Sequence, residues 1–517
     1  MNTTYGIVAI SLVAVATIGI GAFALRFSRT TSDFYVASRS VKPWLNSSAI
    51  GGEYLSAASF LGVAGLVLAS GANMLWYPIG WTTGYLLLLV FVAAPLRRSG
   101  AYTVPDFAEV RLQSDAVRKV ATVLVVAVGW LYLMPQFQGA GLTVRTVTGA
   151  PGWVGSVVVA GIVVVNVVLG GMRSITFVQA FQYWVKLTAL LVPLFFLLQA
   201  WNDDGRPSPV APSDWVDPFT TTDGPGLYLT YSVIAATFLG TMGLPHVVVR
   251  FYTNPDGHTA RRTTLIVLVL LGLFYLLPTV YGVLGRVYAG DLVEAGRSDA
   301  VVLELPSRII EGSMGEVLAA LLTAGAFAAF LSTSSGLTMA LAGVVGQELT
   351  GLDRGRLRQR RLSSISALRI AAAASVLVPL GLALSAERIA VASSVTFAFA
   401  LAASTFCPLL VLGIWWRRLT APGAIAGLVG GGLAAGLGPV LTIVAHPDGW
   451  FGTVMSQPAL WSVPLGFGLM IAVSLMTRDA IPLNVARTMV RLHTPERLDV
   501  DRRDRASESL ASPGDLP

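Results

Sequence analysis

Long apolar runs separated by short polar connections set the pattern of this chain. A helix that crosses a bilayer needs about 20 apolar residues. Runs of that order recur at 5–25, 45–70, 74–96, 120–147, 152–170, 176–200, 227–250, 263–288, 314–345, 364–385, 389–414, 420–444 and 458–477. The pattern predicts an all-α membrane protein of about 13 transmembrane helices. The connections carry the charge, and they carry it in alternation. Arg26, Arg29, Arg39 and Lys42 follow the first run; Arg97, Arg98, Arg111, Arg118 and Lys119 follow the third; Arg173 follows the fifth; Arg250, Arg261 and Arg262 follow the seventh. Arg354, Arg356, Arg358, Arg360 and Arg361 follow the ninth, Arg417 and Arg418 the eleventh, and Arg478, Arg487, Arg491, Arg497, Arg502, Arg503 and Arg505 lie in the tail. The intervening connections are poor in Lys and Arg. Two are acidic, one through Asp203, Asp204, Asp214, Asp217 and Asp223, the other through Asp291, Glu294, Asp299 and Glu304. Basic connections stay on the cytoplasmic side, so the N-terminus is expected outside and the C-terminus inside, a parity that thirteen spans satisfy.

Composition agrees and narrows the function. The 517 residues are 54% hydrophobic and 12% charged, against about 25% charged in soluble domains. The net charge of +7 is spread over loops between apolar runs, which argues against a nucleic-acid partner and for a lipid bilayer. The single cysteine, Cys407, lies in an apolar run, so no disulfide framework or CxxC metal site is available. Met1-Asn2-Thr3-Thr4 lacks the basic start of a cleavable signal. No HExxH, P-loop or nucleophile motif is found, and the polar tail from about 479, expected to be a partly disordered extension, is too short for a catalytic domain. An enzyme is not expected.

Two runs are interrupted. In the second, Gly51-Gly52 precedes Glu53, and Ser56, Ala57, Ala58 and Ser59 follow. Glycine weakens a helix interior, and a carboxylate at bilayer depth normally faces a polar cavity or a partner. In the seventh, Gly240, Gly243 and Pro245 fall within six residues, beside Thr241 and His246. Proline removes a backbone donor there and clashes with the preceding turn. Each reading has a plainer rival, a small-residue packing seam in the first case and a proline kink in the second. The two breaks head two consecutive sets of five runs, 2–6 and 7–11, and matched interrupted helices point to the binding site of an inverted-repeat transporter. The expected division is a peripheral first helix and loop (1–44), a first five-helix repeat (45–200), an outer loop (201–226), a second repeat (227–414), two peripheral helices (415–478) and the tail (479–517).

Candidate ligands lie in and near these breaks. The ninth run carries Ser332, Thr333, Ser334 and Ser335 in an apolar helix. Neutral hydroxyls and freed carbonyls suit a small hard cation, although such hydroxyls also bond their own helix or a neighbour. Gln179, Gln182 and Lys186 share one face of the sixth run, to line a pathway or cap the helix end, with Lys186 able to snorkel. Gln136 and Gln138 read as helix–helix hydrogen bonds rather than ligands. The N-terminus of a half-helix starting near Gly243–His246 would offer free N–H groups and a partial positive charge to a small anion.

Three segments then carry a family resemblance: Glu53-Tyr-Leu-Ser-Ala-Ala-Ser-Phe-Leu-Gly62, Gly243-Leu-Pro-His-Val-Val-Val-Arg-Phe251 and Phe330-Leu-Ser-Thr333. On these, with Gly139-Ala-Gly141, the chain resembles the sodium:solute symporter family over nearly its whole length, nearest to its cation/acetate symporter and actinobacterial monocarboxylate-uptake branch. The resemblance implies a LeuT-type fold, a five-plus-five inverted repeat with a broken first helix in each half, alternating access, and the plasma membrane of a bacterium. It implies a sodium site on the carbonyls of Gly52, Leu55 and Ala329 and the hydroxyls of Ser332 and Thr333. The solute site is expected among Glu53, Ser56, Ser59, Gln179, Gly240, Thr241, Gly243 and His246. Two departures weaken a sugar reading: Gln179 stands where sugar carriers have aspartate, and Ser59 where they have glutamine. The expected function is uptake of acetate or another short-chain monocarboxylate driven by Na+, with H+ as the other candidate and no cofactor. Na+-coupled uptake of proline or another small zwitterion is the alternative; a transporter-like sensor lacks its kinase-type tail, and a passive channel does not need two broken helices.

Overall fold

The computed structural model describes residues 3–24, 37, 40–210, 212–219, 224–356, 364–385 and 391–498. The sequence expectations attached to Arg26, Arg29, Arg39, Asp223, Arg358, Arg360, Arg361, Arg502, Arg503 and Arg505 fall outside these. Helices and turns make up the described residues, with no strand among them. In chain order the elements used below are α1 (Thr3–Ala24), α2 (Pro43–Tyr54), α3 (Val63–Ser70), α4 (Trp76–Leu87), α5 (Ala93–Arg98), α6 (Val104–Leu112), α7 (Asp115–Thr148), α8 (Gly152–Asp203), α9 (Gly224–Gly243) and α10 (Pro245–Val249). They continue with α11 (Gly257–Tyr288), α12 (Val301–Ile309), α13 (Gly312–Arg356), α14 (Ser364–Ser385), α15 (Val391–Trp415), α16 (Ala421–Ala445), α17 (Ala459–Met476) and α18 (Val485–His493).

Among the described residues, ten stretches are long and apolar enough to cross a membrane by length and composition. Runs the sequence separates are joined in two of them. Ala58–Arg98 holds a turn at Gly71 (φ 72°), and Gly152–Asp203 a turn at Gly171 (φ 66°, ψ −177°). Glycine reaches such angles at no steric cost. The run at 364–385 contains a shorter apolar helix, Arg369–Ser385.

Both predicted interruptions are present, and each falls on a leucine. Leu55, after α2, has φ −74°, ψ 89°, and Leu244, between α9 and α10, has φ −69°, ψ 117°. The second follows from Pro245, whose ring pushes the preceding residue out of the helical region. The first has no proline. There Leu55 N–H still closes the last turn on Gly51 O (3.1 Å), while the freed N–H of Ala57 donates to Gln136 Oε1 on α7 (3.0 Å). A wide π turn, Ala58–Gly62, then leads into α3.

The halves interlock through these helices. α13 and α2 both lie against α8, α9 packs on α4 and α15, and α3 packs on α11. Gly52 permits the close approach of α2 to α8, because a Cβ there would overlap the backbone carbonyl of Gln179 on α8.

One expectation is corrected at the ends of helices. Arg111 and Arg250, read as loop charges, are buried. Arg111 donates through Nε to Gly413 O (2.8 Å) and through Nη2 to Trp416 O (3.0 Å), so it caps the orphan carbonyls closing α15. Burial pulls its pKa down to about 10, which leaves it charged at neutral pH. The described part of the tail, as far as Leu498, carries a docked helix. α18 buries Met489 and Leu492, and the His493 ring meets Trp415 at the end of α15 (4.8 Å between centroids). Just beyond, Glu496 accepts from the Gly257 N–H that opens α11 (2.7 Å) and from Arg98 Nε of α5 (3.4 Å).

Candidate functional site

The break after α2 is the centre of a buried polar assembly. On one side of it Glu53 and Arg250 pair, Nε to Oε2 at 2.5 Å, with their side chains 3% and 1% exposed. Arg250 also donates from Nη1 to Thr176 Oγ1 (3.0 Å) and from Nη2 to Gln179 Oε1. Gln179 turns its amide nitrogen to Ser332 O (2.8 Å), so one side chain ties Arg250 to α13. Glu53 thus has Arg250 as its partner. The carboxylate is backed by Gly336 of α13, where a Cβ would run into it.

On the other side of the break are the oxygens expected to hold a cation. The carbonyls of Gly52 and Leu55 and the hydroxyl of Ser332 converge, and the Lys186 ammonium sits among them, at 2.5, 2.8 and 3.0 Å. Ser332 Oγ is also 2.6 Å from Gly52 O and 3.1 Å from Ala329 O. Thr333 leaves this group and donates to Glu53 O (2.6 Å). Lys186 is fully buried and does not snorkel.

Beyond the break lies a ring of aromatic side chains. Tyr54 meets Tyr85 edge-on (4.9 Å), Trp81 lies between Tyr275 (5.8 Å) and Phe399 (5.9 Å), and Tyr132 lies against His246 (5.0 Å) and Phe399 (5.8 Å). Two of the expected solute-site residues are held here by hydroxyl bonds, Thr241 to Tyr54 (2.7 Å) and Ser59 to Tyr275 (2.9 Å). Ser56 is buried at the same level. Gly240 and Gly243 instead lie against the backbone carbonyls of Phe399 and Ala402, where they let α9 approach α15. The helix opening after Leu244 is one short turn, Pro245–Val249, so its dipole is small and the polarity here comes from side chains.

Within that ring several buried polar atoms have no hydrogen-bond partner in the protein: both ring nitrogens of His246, Trp81 Nε1 and Tyr85 Oη. Buried donors are satisfied in the great majority of cases, so a cluster left open asks for a partner from outside the chain. Apolar ring faces with a few N–H and O–H groups suit a small anion carrying a short apolar chain.

Trp81, Tyr85, Tyr132, Phe399 and Arg250 were not among the residues expected from sequence. Trp81 and Tyr85 carried a usable signal, since their spacing of four puts them on one helical face, and Arg250 is part of the Gly-x-Pro-His-x-x-x-Arg-Phe segment itself.

Comparison with known proteins gives a consistent picture. The model of the sodium:solute symporter family matches residues 34–431. Among similar proteins is an uncharacterised symporter, YwcA, of Bacillus subtilis, 29% identical over 516 residues that cover 96% of this chain and 99% of that one. Another is a monocarboxylic acid transporter of Corynebacterium glutamicum, 31% identical over 494 residues covering 89% of each. Of solved structures, a Na+-coupled sialic acid symporter in a substrate-bound outward-open state aligns with TM-score 0.67 at 14% identity, over 91% of this chain and 97% of that one. MHP1, a nucleobase-cation-symport-1 family transporter in a closed conformation with bromovinylhydantoin bound, aligns with TM-score 0.53 at 11% identity, over 90% and 99%. These two likenesses show the LeuT-type fold for this chain.

Proposed function

The chain belongs to the sodium:solute symporter family, and from that premise we propose that it takes up a short-chain monocarboxylate, such as acetate or propionate, by cation-coupled alternating access. The observation that carries the reading is the open cluster of His246, Trp81 and Tyr85 inside the aromatic ring. The carboxylate accepts from these donors, and the short hydrocarbon end packs on Trp81, Phe399 and Tyr275. The name of the Corynebacterium relative, a monocarboxylic acid transporter, supports this solute class. Sodium is the driving cation that the family's description supports. The alternation of loop charge supports an orientation with the N-terminus outside and the tail in the cytoplasm.

The test is uptake of labelled acetate, propionate, pyruvate and proline into proteoliposomes, with sodium and pH gradients imposed separately. Uptake of the monocarboxylates over proline is expected. Trp81→Phe keeps the ring and removes its N–H, and His246→Ala removes both nitrogens. Each should weaken apparent solute affinity by about 10–100-fold, the worth of one charge-assisted hydrogen bond of about 1.5–3 kcal/mol. Selective proline uptake, or wild-type affinity in both variants, would sink the proposal.

A further inference from the structure

Lys186 is the one ammonium among the buried side chains described at the break, and all three of its N–H bonds are used. They reach two carbonyls at the broken end of α2, Gly52 and Leu55, and one hydroxyl of α13, Ser332. Ser332 in turn bridges towards Gly52 O and Ala329 O. Three of the five groups expected to hold a sodium ion therefore surround a positive charge that the chain supplies itself, and a fourth, Ala329 O, is reached through Ser332. The carbonyls concerned are those that the break frees from helical hydrogen bonding, and they have found their cation. A second cation among the same oxygens would lie in contact with the ammonium, and like charges that close disfavour each other strongly.

We infer that Lys186 is the resident cation of the crossing between α2 and α13, that it holds the broken helix of the first half to the second half as a bound ion would, and that this crossing takes no sodium. A sodium ion that drives uptake in this chain binds elsewhere. The consequence for transport rests on the symport reading above; the binding claim does not.

The experiment uses the purified full-length protein without solute. Its melting is followed in sodium chloride and in choline chloride at matched ionic strength, for wild type, Ser332→Ala, Lys186→Ala and the double variant. A ligand that binds only the folded state raises the melting point in a saturable way. In wild type the two salts should give the same curve, or a sodium effect that Ser332→Ala leaves intact. Lys186→Ala should melt lower and gain a saturable response to sodium that the added Ser332→Ala abolishes. Two results would overturn the inference: a sodium response in wild type that Ser332→Ala removes, or a Lys186→Ala variant that melts like wild type and ignores sodium. If Lys186→Ala does not fold, the wild-type and Ser332→Ala arms decide alone. A failure of labelled propionate to enter proteoliposomes would remove the transport reading and leave these outcomes untouched.

Discussion

Cutting the Glu53–Arg250 pair tests the architecture most directly. The pair joins α2 of the first half to the turn after α10 in the second, and neither side chain reaches solvent. Removing one partner of a buried, hydrogen-bonded ion pair costs about 3–5 kcal/mol, because the survivor is left as an uncompensated charge. The two single variants should differ within that range. Glu53→Gln keeps an oxygen that can accept from Arg250 Nε, and Arg250 retains Thr176 and Gln179, so about 3 kcal/mol is expected. Arg250→Met strands a carboxylate with Gly336 pressed against it, so about 5 kcal/mol is expected. The double variant removes both charges and should recover at least about 2 kcal/mol of the summed loss, since exchanging a whole buried pair for neutral groups is often close to neutral. With an unfolding entropy of about 2 cal/mol/K per residue, a chain of this length should melt about 3–5 °C lower in the single variants. The assay is melting of the detergent-purified protein across the four members of the cycle. Additivity within about 0.5 kcal/mol would mean the two residues do not interact, and the reading of this side of the site would fall with it.

Other outcomes follow from the same geometry. Gly336→Ala should lose about as much as Glu53→Gln, since its methyl group displaces the carboxylate, whereas Gly381→Ala, with open space around it, should be neutral or gain up to about 1 kcal/mol of helix propensity; paired melting curves check both. Arg111→Met leaves the carbonyls of Gly413 and Trp416 without their donor and should cost about 2–3 kcal/mol, read in the same assay. Glu496→Ala should cost less than about 1 kcal/mol, as expected for a partly exposed pair, and raise the exchange rate of the Gly257 amide in hydrogen–deuterium exchange; unchanged protection there would show the cap to be idle.

How much of this was legible before the structure depended on whether the cause was local. The break at Leu244 follows from Pro245 one residue on, and the break at Leu55 was signalled by Gly51-Gly52 beside a carboxylate. The partners were not legible. Glu53 and Arg250 are 197 positions apart, and Lys186 reaches oxygens 131 to 146 positions away. Nothing in the periodicity of a single helix says which long side chain will fill a gap in another. Lys186 was placed on the right face and left among three roles because its target lies on α2 and α13. Arg250 was misassigned for a related reason: next to a connection, a buried arginine and a loop arginine look alike. The tail's charges suggested partial disorder, and within its described part Val485, Met489 and Leu492 stand at helical spacing and mark the face that docks.

The docked tail bears on how the protein is handled. α18 and Glu496 touch α5, α11 and α15 together, so one short segment is fastened to the ends of helices from both halves. A tag or reporter fused at position 484 or earlier would strip that fastening, while one joined after Leu498 would spare it. Two fusions differing by fourteen residues would then yield proteins of different stiffness from the same transporter, and a fluorophore placed on α18 would report relative movement of the halves without touching the interior.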